Sequence, residues 1–156
     1  MKIYLATDHA GFELKEKVKK WLKKRGYAVH DEGAFELNGQ DDYPDFVRIA
    51  ARQVSGQPEG SRAIIFGGTG QGEAMVANRE PGVRAAVYYG GQPEVIVLSR
   101  QHNDANVLAI GARFVNESEA LEVIEQWLHT DFPPVARHQR RVAKIDNLVP
   151  EAEHEF

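Results

Sequence analysis

Short apolar runs alternate along the chain with longer stretches in which apolar residues recur every three or four positions. The short runs, bounded by turn residues, have the length and content of strands buried in a sheet. They are Ile3–Ala6, Tyr27–His30, Ala63–Phe66, Val83–Tyr88 and Asn106–Ile110. The pattern therefore predicts five strands.

The stretches between these strands have helical spacing. In the first, Leu14, Val18 and Leu22 fall on one face and lysines surround the rest, which predicts an amphipathic helix that ends before Gly26. The lysines could form a polyanion site, but their spacing favours a solvated helix face. The other predicted helices run from Asp42 to about Val54, from near Gln71, from Pro93 to Arg100, from the N-cap Asn116 to Leu128, and from Val135 to about Asn147.

Alternating strands and helices require right-handed crossovers and a parallel sheet that is covered on both faces. We therefore predict an α/β fold, a Rossmann-like three-layer α/β/α sandwich with a five-stranded parallel sheet. The 156 residues suit one domain over residues 1–150, and we expect an acidic, frayed C-terminal tail at 151–156.

The composition narrows the functional classes. A net charge of −4 argues against a nucleic-acid partner, and the absence of cysteine excludes disulfides and a thiolate nucleophile. The chain has neither a secretory signal pattern nor an apolar run of membrane-spanning length, so we expect a cytoplasmic protein with no membrane partner. No histidine pair or carboxylate triplet has ligand spacing, so we expect no metal site.

A glycine-rich loop follows the third predicted strand. Gly67, Gly68, Gly70 and Gly72 lie between that strand and the next helix, where backbone N–H groups can converge on a phosphate or on an oxyanion formed during reaction. Two side chains of the loop, Thr69 and Glu73, can take part in chemistry. No Lys-Ser/Thr pair follows, which excludes a Walker loop. The alternative is a tight turn without a ligand.

Other polar residues follow strand ends. Asp8 and His9 come after the first strand and Arg113 after the last, at the sheet edge where ligands bind in such folds. His9 could polarise a carbonyl, bind phosphate or transfer a proton, and Asp8 could orient it or bind a sugar hydroxyl. The alternative for Asp8 is that it caps the following helix.

Two further candidates lie late in the chain. His102, in the polar segment between a helix and a strand, is a candidate acid or base, or else a hydrogen-bonded loop histidine. Arg137 and Arg141 are four positions apart and share a helix face, so they can hold one phosphate together. The alternative is a solvated basic face.

Five segments together resemble ribose-5-phosphate isomerase type B, a family that also contains the galactose-6-phosphate isomerase subunits. The resemblance extends in the same order over about residues 1–147. The segments are Thr-Asp-His-Ala-Gly at 7–11, Asp-Tyr-Pro-Asp at 42–45, Gly-Gly-Thr-Gly-Gln-Gly-Glu at 67–73, Ser-Arg-Gln-His-Asn-Asp at 99–104 and Arg-His-Gln-Arg-Arg at 137–141.

The resemblance implies a homodimer, sometimes a tetramer, with each active site shared between two subunits. It also implies aldose–ketose isomerisation through an enediolate without a metal or organic cofactor. The implied substrate-binding residues are Asp8, His9, Tyr43, Gly68, Gly70, Gly72, Asn103, Arg113, Arg137 and Arg141. Asp8 would contact sugar hydroxyls, the loop amides would stabilise the oxyanion, and His9 with the three arginines would hold the phosphate. His102 would open the furanose ring with help from Thr69, and His102, Asn103 and the arginines would come from the neighbouring subunit.

One departure from the family concerns the base. Many members have a cysteine base where this chain has Gly67, whereas a second branch uses a glutamate that matches Glu73. That branch often has serine where Thr69 stands, and either hydroxyl can make the same hydrogen bond. Burial would raise the pKa of Glu73 and nearby arginines would lower it, and the sequence leaves their order open.

We therefore predict an isomerase that interconverts ribose 5-phosphate and ribulose 5-phosphate, with Glu73 as the base. One alternative is the same reaction on a six-carbon sugar phosphate, allose or galactose 6-phosphate, decided by the rim loop Phe35–Gln40. The other is a non-catalytic phosphosugar-binding module on the same fold.

Overall fold

The computed structural model describes residues 1–148, and the predicted acidic tail at 151–156 lies outside them. Five strands and six α-helices follow one another along this part of the chain, with a short 3₁₀ turn at His9–Gly11. The elements are β1 Lys2–Thr7, α1 Phe12–Lys24, β2 Ala28–Asp31, α2 Tyr43–Gly56, β3 Ser61–Gly67, α3 Gln71–Ala77, β4 Ala85–Tyr88, α4 Glu94–Asn103, β5 Val107–Gly111, α5 Glu117–Leu128 and α6 Ala136–Asp146.

All strand pairs are parallel, and the strand order is β2-β1-β3-β5-β4. This arrangement confirms the predicted five-stranded parallel sheet. The register pairs Thr7 with Phe66 and Gly67 with Gly111, so the carboxyl ends of β1, β3 and β5 lie side by side. The polar residues that follow these three strands therefore emerge at one edge of the sheet.

The two faces of the sheet bury different side chains because successive residues of a strand point to opposite sides. Ile3, Ile64 and Leu108 belong to the core that includes residues of α1 and α5. Tyr4 and Ile65 belong to the second core, with residues of α2 and α3. The sheet is thus the middle layer of a three-layer sandwich.

Most strand boundaries differ from the sequence prediction by one or two residues, and the differences at β4 and α4 have an evident structural basis. Strand β4 begins at Ala85 rather than Val83, and only Tyr88 of this edge strand is fully buried. Helix α4 continues to Asn103 rather than ending at Arg100, because Asp104 takes a left-handed conformation and its N–H bonds the carbonyls of Arg100 and Ser99. His102 is consequently helical, and its interpretation as a loop histidine is wrong.

The ends of two helices follow the predicted caps. Gly26, with φ +84°, follows α1, and the Asn116 side chain accepts the Glu119 N–H at 2.9 Å before α5. The Glu119 carboxylate makes no return bond to Asn116 and instead accepts the Tyr88 hydroxyl at 2.7 Å. Across residues 1–148, the helices are all too short or too polar to cross a membrane.

Candidate active site

The glycine loop joins β3 to α3 at the carboxyl edge of the sheet. Gly70 has φ +78°, a left-handed conformation that glycine adopts without strain. A Cβ placed on Gly70 would lie 3.2 Å from the backbone N of Gly111, so the loop is seated closely on the neighbouring strand β5. The loop therefore needs glycine here both for its conformation and for its contact with the sheet.

Several polar groups of this loop are available to a ligand. Within residues 1–148, the backbone N–H groups of Gly68, Thr69 and Gly70 donate to no protein acceptor. The Thr69 side chain is exposed, and its Oγ1 accepts the Gln71 N–H at 3.2 Å, which leaves the hydroxyl proton free to be donated. The loop can therefore hold an anionic oxygen and offer one hydroxyl beside it.

Glu73 is buried under the same loop, with 4% of its surface exposed. A Cβ on Gly67 would overlap the Glu73 carboxylate, so the absent side chain at position 67 provides the space in which this carboxylate lies. Burial raises the pKa of Glu73, its own backbone N–H partly offsets this, and the charge of Asp8 raises it further. The sequence left the balance of effects open, and burial is the largest of them. A carboxyl with a raised pKa suits proton transfer near neutral pH.

Asp8 and His9 follow β1 beside the loop. The buried Asp8 accepts the Ala10 N–H at 2.9 Å, which confirms that it caps the short turn after β1. His9 meets Asp41, whose Oδ1 lies 2.7 Å from His9 Nδ1 and 3.0 Å from the His9 backbone N. Since a carboxylate only accepts, this pair places the proton of the neutral imidazole on Nδ1 and leaves Nε2 free for a ligand.

Asp41 is a site residue that the sequence analysis missed. It lies in an irregular loop 32 residues from His9, and no periodic pattern in the sequence relates the two positions. Ligand atoms of Asp8, His9 and Asp41 lie within 4.8 Å of one another, a set that could hold a cation. The spacing of residues in the sequence did not indicate this cluster, because the fold assembles it from separate segments of the chain.

Tyr43 and Arg113 both lie against glycines of the loop. A Cβ on Gly72 would lie 2.5 Å from the Tyr43 hydroxyl, and one on Gly68 would lie 2.9 Å from Nη1 of Arg113. The Arg113 N–H donates to the Gly68 carbonyl at 3.2 Å, because β3 and β5 are neighbours. Arg113 therefore lies on the loop of its own chain, in contrast to the expectation that the neighbouring subunit supplies it.

His102 and Asn103 lie at the opposite edge of the sheet. Helix α4 leaves the carboxyl end of β4 and returns to the start of β5, and these two exposed residues are in its last turn. The Asn103 carbonyl accepts the Nε–H of Arg84 at 3.0 Å, and Arg84 directly precedes β4. Within one chain, the fold does not bring His102 or Asn103 to Glu73.

A basic cluster surrounds His102. Its ring stacks on His138 of α6, with centroids 4.3 Å apart and planes 16° apart. His138 lies between Arg137 and Arg141 in the sequence, and both arginine side chains are exposed. Burial, His102 and the two arginines all lower the pKa of His138, which favours its neutral form. His138 also escaped the sequence analysis, although it stands inside the Arg-His-Gln-Arg-Arg segment.

The fold and the two groups of side chains define a Rossmann-like α/β protein with a buried carboxyl beside a glycine loop and a separate cluster of histidines and arginines. The sequence matches the family described as Ribose/Galactose Isomerase over residues 3–145. The chain belongs to this family, which confirms the resemblance of its five sequence segments.

Relatives align with the chain over almost its whole length. Ribose-5-phosphate isomerase B of Mycobacterium tuberculosis (strain H37Rv) is 39% identical over 142 residues, which are 91% of this chain and 86% of the relative. That of Escherichia coli (strain K12) is 39% identical over 144 residues, which are 92% and 93% of the two chains.

Solved structures of ribose-5-phosphate isomerase B have the same fold. The structure from Mycoplasma genitalium, with bound ribulose-5-phosphate, has a TM-score of 0.88 and 37% identity and covers 93% of each chain. The structure from Clostridium thermocellum has a TM-score of 0.86 and 43% identity and covers 94% of this chain and 95% of its own.

Proposed function

We propose that this chain is a ribose-5-phosphate isomerase that interconverts ribose 5-phosphate and ribulose 5-phosphate through an enediolate. The observation that carries the proposal is the buried Glu73, which lies under a glycine loop with free backbone N–H groups. A module that only binds phosphosugars has no need of a buried base in that position. The near full-length match to ribose-5-phosphate isomerases B supports the pentose phosphate as substrate.

Ring opening is the first chemical step, because ribose 5-phosphate in solution is mainly a furanose. His102 takes the proton of the anomeric hydroxyl and gives it to the ring oxygen, so that the bond between C1 and the ring oxygen breaks and the aldehyde is freed. Thr69, whose hydroxyl proton has no acceptor within residues 1–148, assists by hydrogen bonding. His102 is the acid–base group of this step because an imidazole ring has one nitrogen that accepts a proton and another that donates one.

Proton transfer between carbons follows. Glu73 takes the proton from C2, and the electrons move to the carbonyl oxygen to form the enediolate. The free amides of the loop stabilise this oxyanion. The protonated Glu73 then returns the proton to C1 on the same face while the O2 hydroxyl proton passes to O1, which leaves the ketone at C2. A pKa raised by burial increases the basicity of the carboxylate and makes this return possible in one site.

The phosphate is held by cationic groups at the edge of the site. His9, fixed by Asp41, and Arg113 approach from the chain that supplies Glu73. Arg137 and Arg141 are exposed on α6, near His102. Guanidinium groups bind phosphate oxygens through charge-assisted hydrogen bonds.

We infer that the complete site forms between two chains of a homodimer. Glu73 and His102 lie at opposite edges of the sheet in one chain, whereas the chemistry needs both beside one sugar. A two-fold symmetric dimer can place the His102 group of each chain against the glycine loop of the other. Two such dimers would form a tetramer with the same sites.

A six-carbon sugar phosphate is the second candidate substrate. A cavity of about 290 Å³ lies beneath the rim loop, lined by Phe35, Asn38, Asp41 and Phe46 among others. Asp41 connects this cavity to His9. The space could accept the additional CHOH group of an allose or galactose phosphate.

The experiment is an assay of ketose formation from ribose 5-phosphate by the purified chain, with a chelator present and allose and galactose 6-phosphates in parallel. We expect pentose turnover that survives chelation and falls about a hundredfold or more in Glu73→Gln. Turnover of a hexose phosphate alone would change the substrate and keep the mechanism. If none of these sugar phosphates were turned over but they still raised the Tm of the protein, the chain would be a binding module.

A further inference from the structure

The stacked pair of histidines joins an exposed ring to a buried one. His102 is at the exposed end of α4, whereas His138 has 6% of its surface exposed. Their ring planes are within 16° of parallel, and the centroids are 4.3 Å apart. The buried ring thus forms one wall against which the exposed ring lies flat, and the edge nitrogens of His102 remain outside the stack.

The charges around His138 suit a support rather than a second acid. His102 faces it from α4, and Arg137 and Arg141 face it from its own helix α6. These groups and its burial all oppose protonation of His138. A neutral aromatic ring can stay stacked on His102 when His102 is neutral and also when it is an imidazolium.

Anchoring of α6 does not depend on this stack alone. At the other end of the helix, both oxygens of the Asp146 carboxylate lie 2.8 Å from Nη1 of Arg84. Val142, one turn after His138, is buried against the protein. The helix would remain docked without the His138 ring, so the ring is free to serve a more local purpose.

We propose that His138 is a positioning residue that holds the imidazole of His102 in the orientation from which it opens the furanose ring. The inference rests on the proposed isomerase activity and adds to it a residue that acts through His102 without touching the sugar. Without the His138 ring, the His102 imidazole can rotate about its side-chain bonds, and opening of the furanose slows. The later transfer of the proton between C2 and C1, which uses Glu73, is unaffected.

Comparison of net isomerisation with hydrogen exchange at C1 of ribulose 5-phosphate tests this inference. Ribulose 5-phosphate cannot close a furanose ring, since its O5 carries the phosphate, and it therefore enters the site already open. In His138→Ala we expect turnover from ribose 5-phosphate to fall about tenfold. The net reverse reaction should fall by the same factor in kcat/KM, because the equilibrium constant fixes the ratio of the two directions. Incorporation of solvent deuterium at C1 of ribulose 5-phosphate should stay within about twofold of wild type, because this exchange needs only the proton transfer by Glu73 and no ring opening or closure.

Two variants serve as controls. His138→Phe keeps a flat ring and removes the titrating group, so it should restore most of the forward turnover. His30→Ala removes another stacked histidine, which is exposed on β2 with its ring 5.2 Å from that of Tyr4, and should leave net turnover and C1 exchange unchanged.

A loss of C1 exchange as large as the loss of net turnover in His138→Ala, or no loss of net turnover, would overturn the inference. Failure of the Phe variant to restore forward turnover would also count against it. Failure of the proposed function itself is distinguishable, since the wild-type chain would then turn over neither sugar.

Discussion

At the scale of single residues, the site depends on the lack of a side chain at Gly67. The Glu73 carboxylate fills the space where a Cβ of residue 67 would be, under the loop that supplies the amides. Because protein interiors are close-packed, a side chain at position 67 would have to displace this carboxylate. The position of the base is therefore set jointly by a glycine and a glutamate six residues apart.

The substitution Gly67→Ala tests this dependence. The added methyl group would displace the carboxylate, and we expect turnover to fall about a hundredfold while ribose 5-phosphate still binds. Gly60→Ala is the matched control, because a Cβ there meets no atom within 4 Å. Steady-state kinetics of both variants measure the effect, and equal rates in the two would show that the Glu73 position is not critical.

The raised pKa of Glu73 also predicts how stability depends on pH. A carboxyl whose pKa is higher in the folded state binds its proton more tightly there, so ionisation above the ordinary value of 4.5 destabilises the fold. Glu73→Gln should therefore raise the Tm by about 2–4 °C at pH 7. The gain should shrink as the pH falls toward that ordinary value and vanish below it, where the wild-type carboxyl is protonated in both states. Thermal scans of both proteins from pH 4 to pH 8 measure this gain. A gain in Tm that does not change with pH would contradict its origin in the raised pKa of Glu73.

At the scale of elements, a buried lysine connects α1 to the end of β2. The Lys15 side chain is fully buried, and its Nζ lies 2.6 Å from Asp31 Oδ1 and 2.6 Å from the Ala34 carbonyl. Burial by itself would raise the pKa of Asp31, but hydrogen bonds from Lys15 and Lys19 lower it below its ordinary value. The ammonium thus holds the segment that leads from β2 toward the rim loop.

Removal of this ammonium should loosen the contact between α1 and β2. We expect Lys15→Met to lower the free energy of unfolding by about 3 kcal/mol, because Asp31 would lose a buried partner. The difference should persist at neutral pH and close as the pH falls below 3.8, the ordinary pKa of the Asp31 carboxyl, where that group becomes protonated in the unfolded state.

Lys17→Met is the matched control on the same helix. Lys17 is exposed and pairs with the exposed Glu117 at 3.0 Å, so its loss should change stability by no more than about 0.5 kcal/mol. Urea denaturation of both variants measures the two changes. Equal effects would mean that the buried bonds of Lys15 contribute little.

At the scale of the whole molecule, the chemical groups are divided between two edges of one sheet. The loop with Glu73 lies at the carboxyl ends of the strands, and α4 carries His102 back to their amino ends. Because α4 connects two adjacent parallel strands, it must cross the full height of the sheet. The division therefore follows from the topology and would hold for any side chains at the end of this helix.

Mixed dimers test whether two chains complete one site. Glu73→Gln and His102→Asn should each be inactive alone. If the chains are unfolded and refolded together, half of the dimers contain one of each, and one of the two sites in such a dimer is intact, which restores about one quarter of wild-type activity. Recovery should be absent when the double variant Glu73→Gln/His102→Asn is refolded with either single variant. Lack of recovery in the first mixture would mean that the site is not shared.

The sequence predicted the five strands, the helices and the parallel sheet because each element has its own periodicity and caps. It also predicted Glu73 and Thr69, since strand, glycines and helix are contiguous in the chain. Asp41 and His138 could not be found this way. Asp41 meets His9 through a loop without periodicity, and His138 meets His102 only because α6 packs on α4. Contacts between distant segments depend on tertiary packing, which no local spacing encodes.

Because the Glu73 carboxylate occupies the space beside Gly67, the two positions cannot change independently in evolution. Exchange of the carboxylate at 73 for a larger residue at 67 takes two mutations, and their order matters. If a larger residue replaced Gly67 first, its atoms would overlap the Glu73 carboxylate in a packed interior. If a shorter residue replaced Glu73 first, it would leave a cavity that the second mutation can fill. The tolerated route passes through a folded chain without a base, so a lineage can follow it only while another gene supplies the activity.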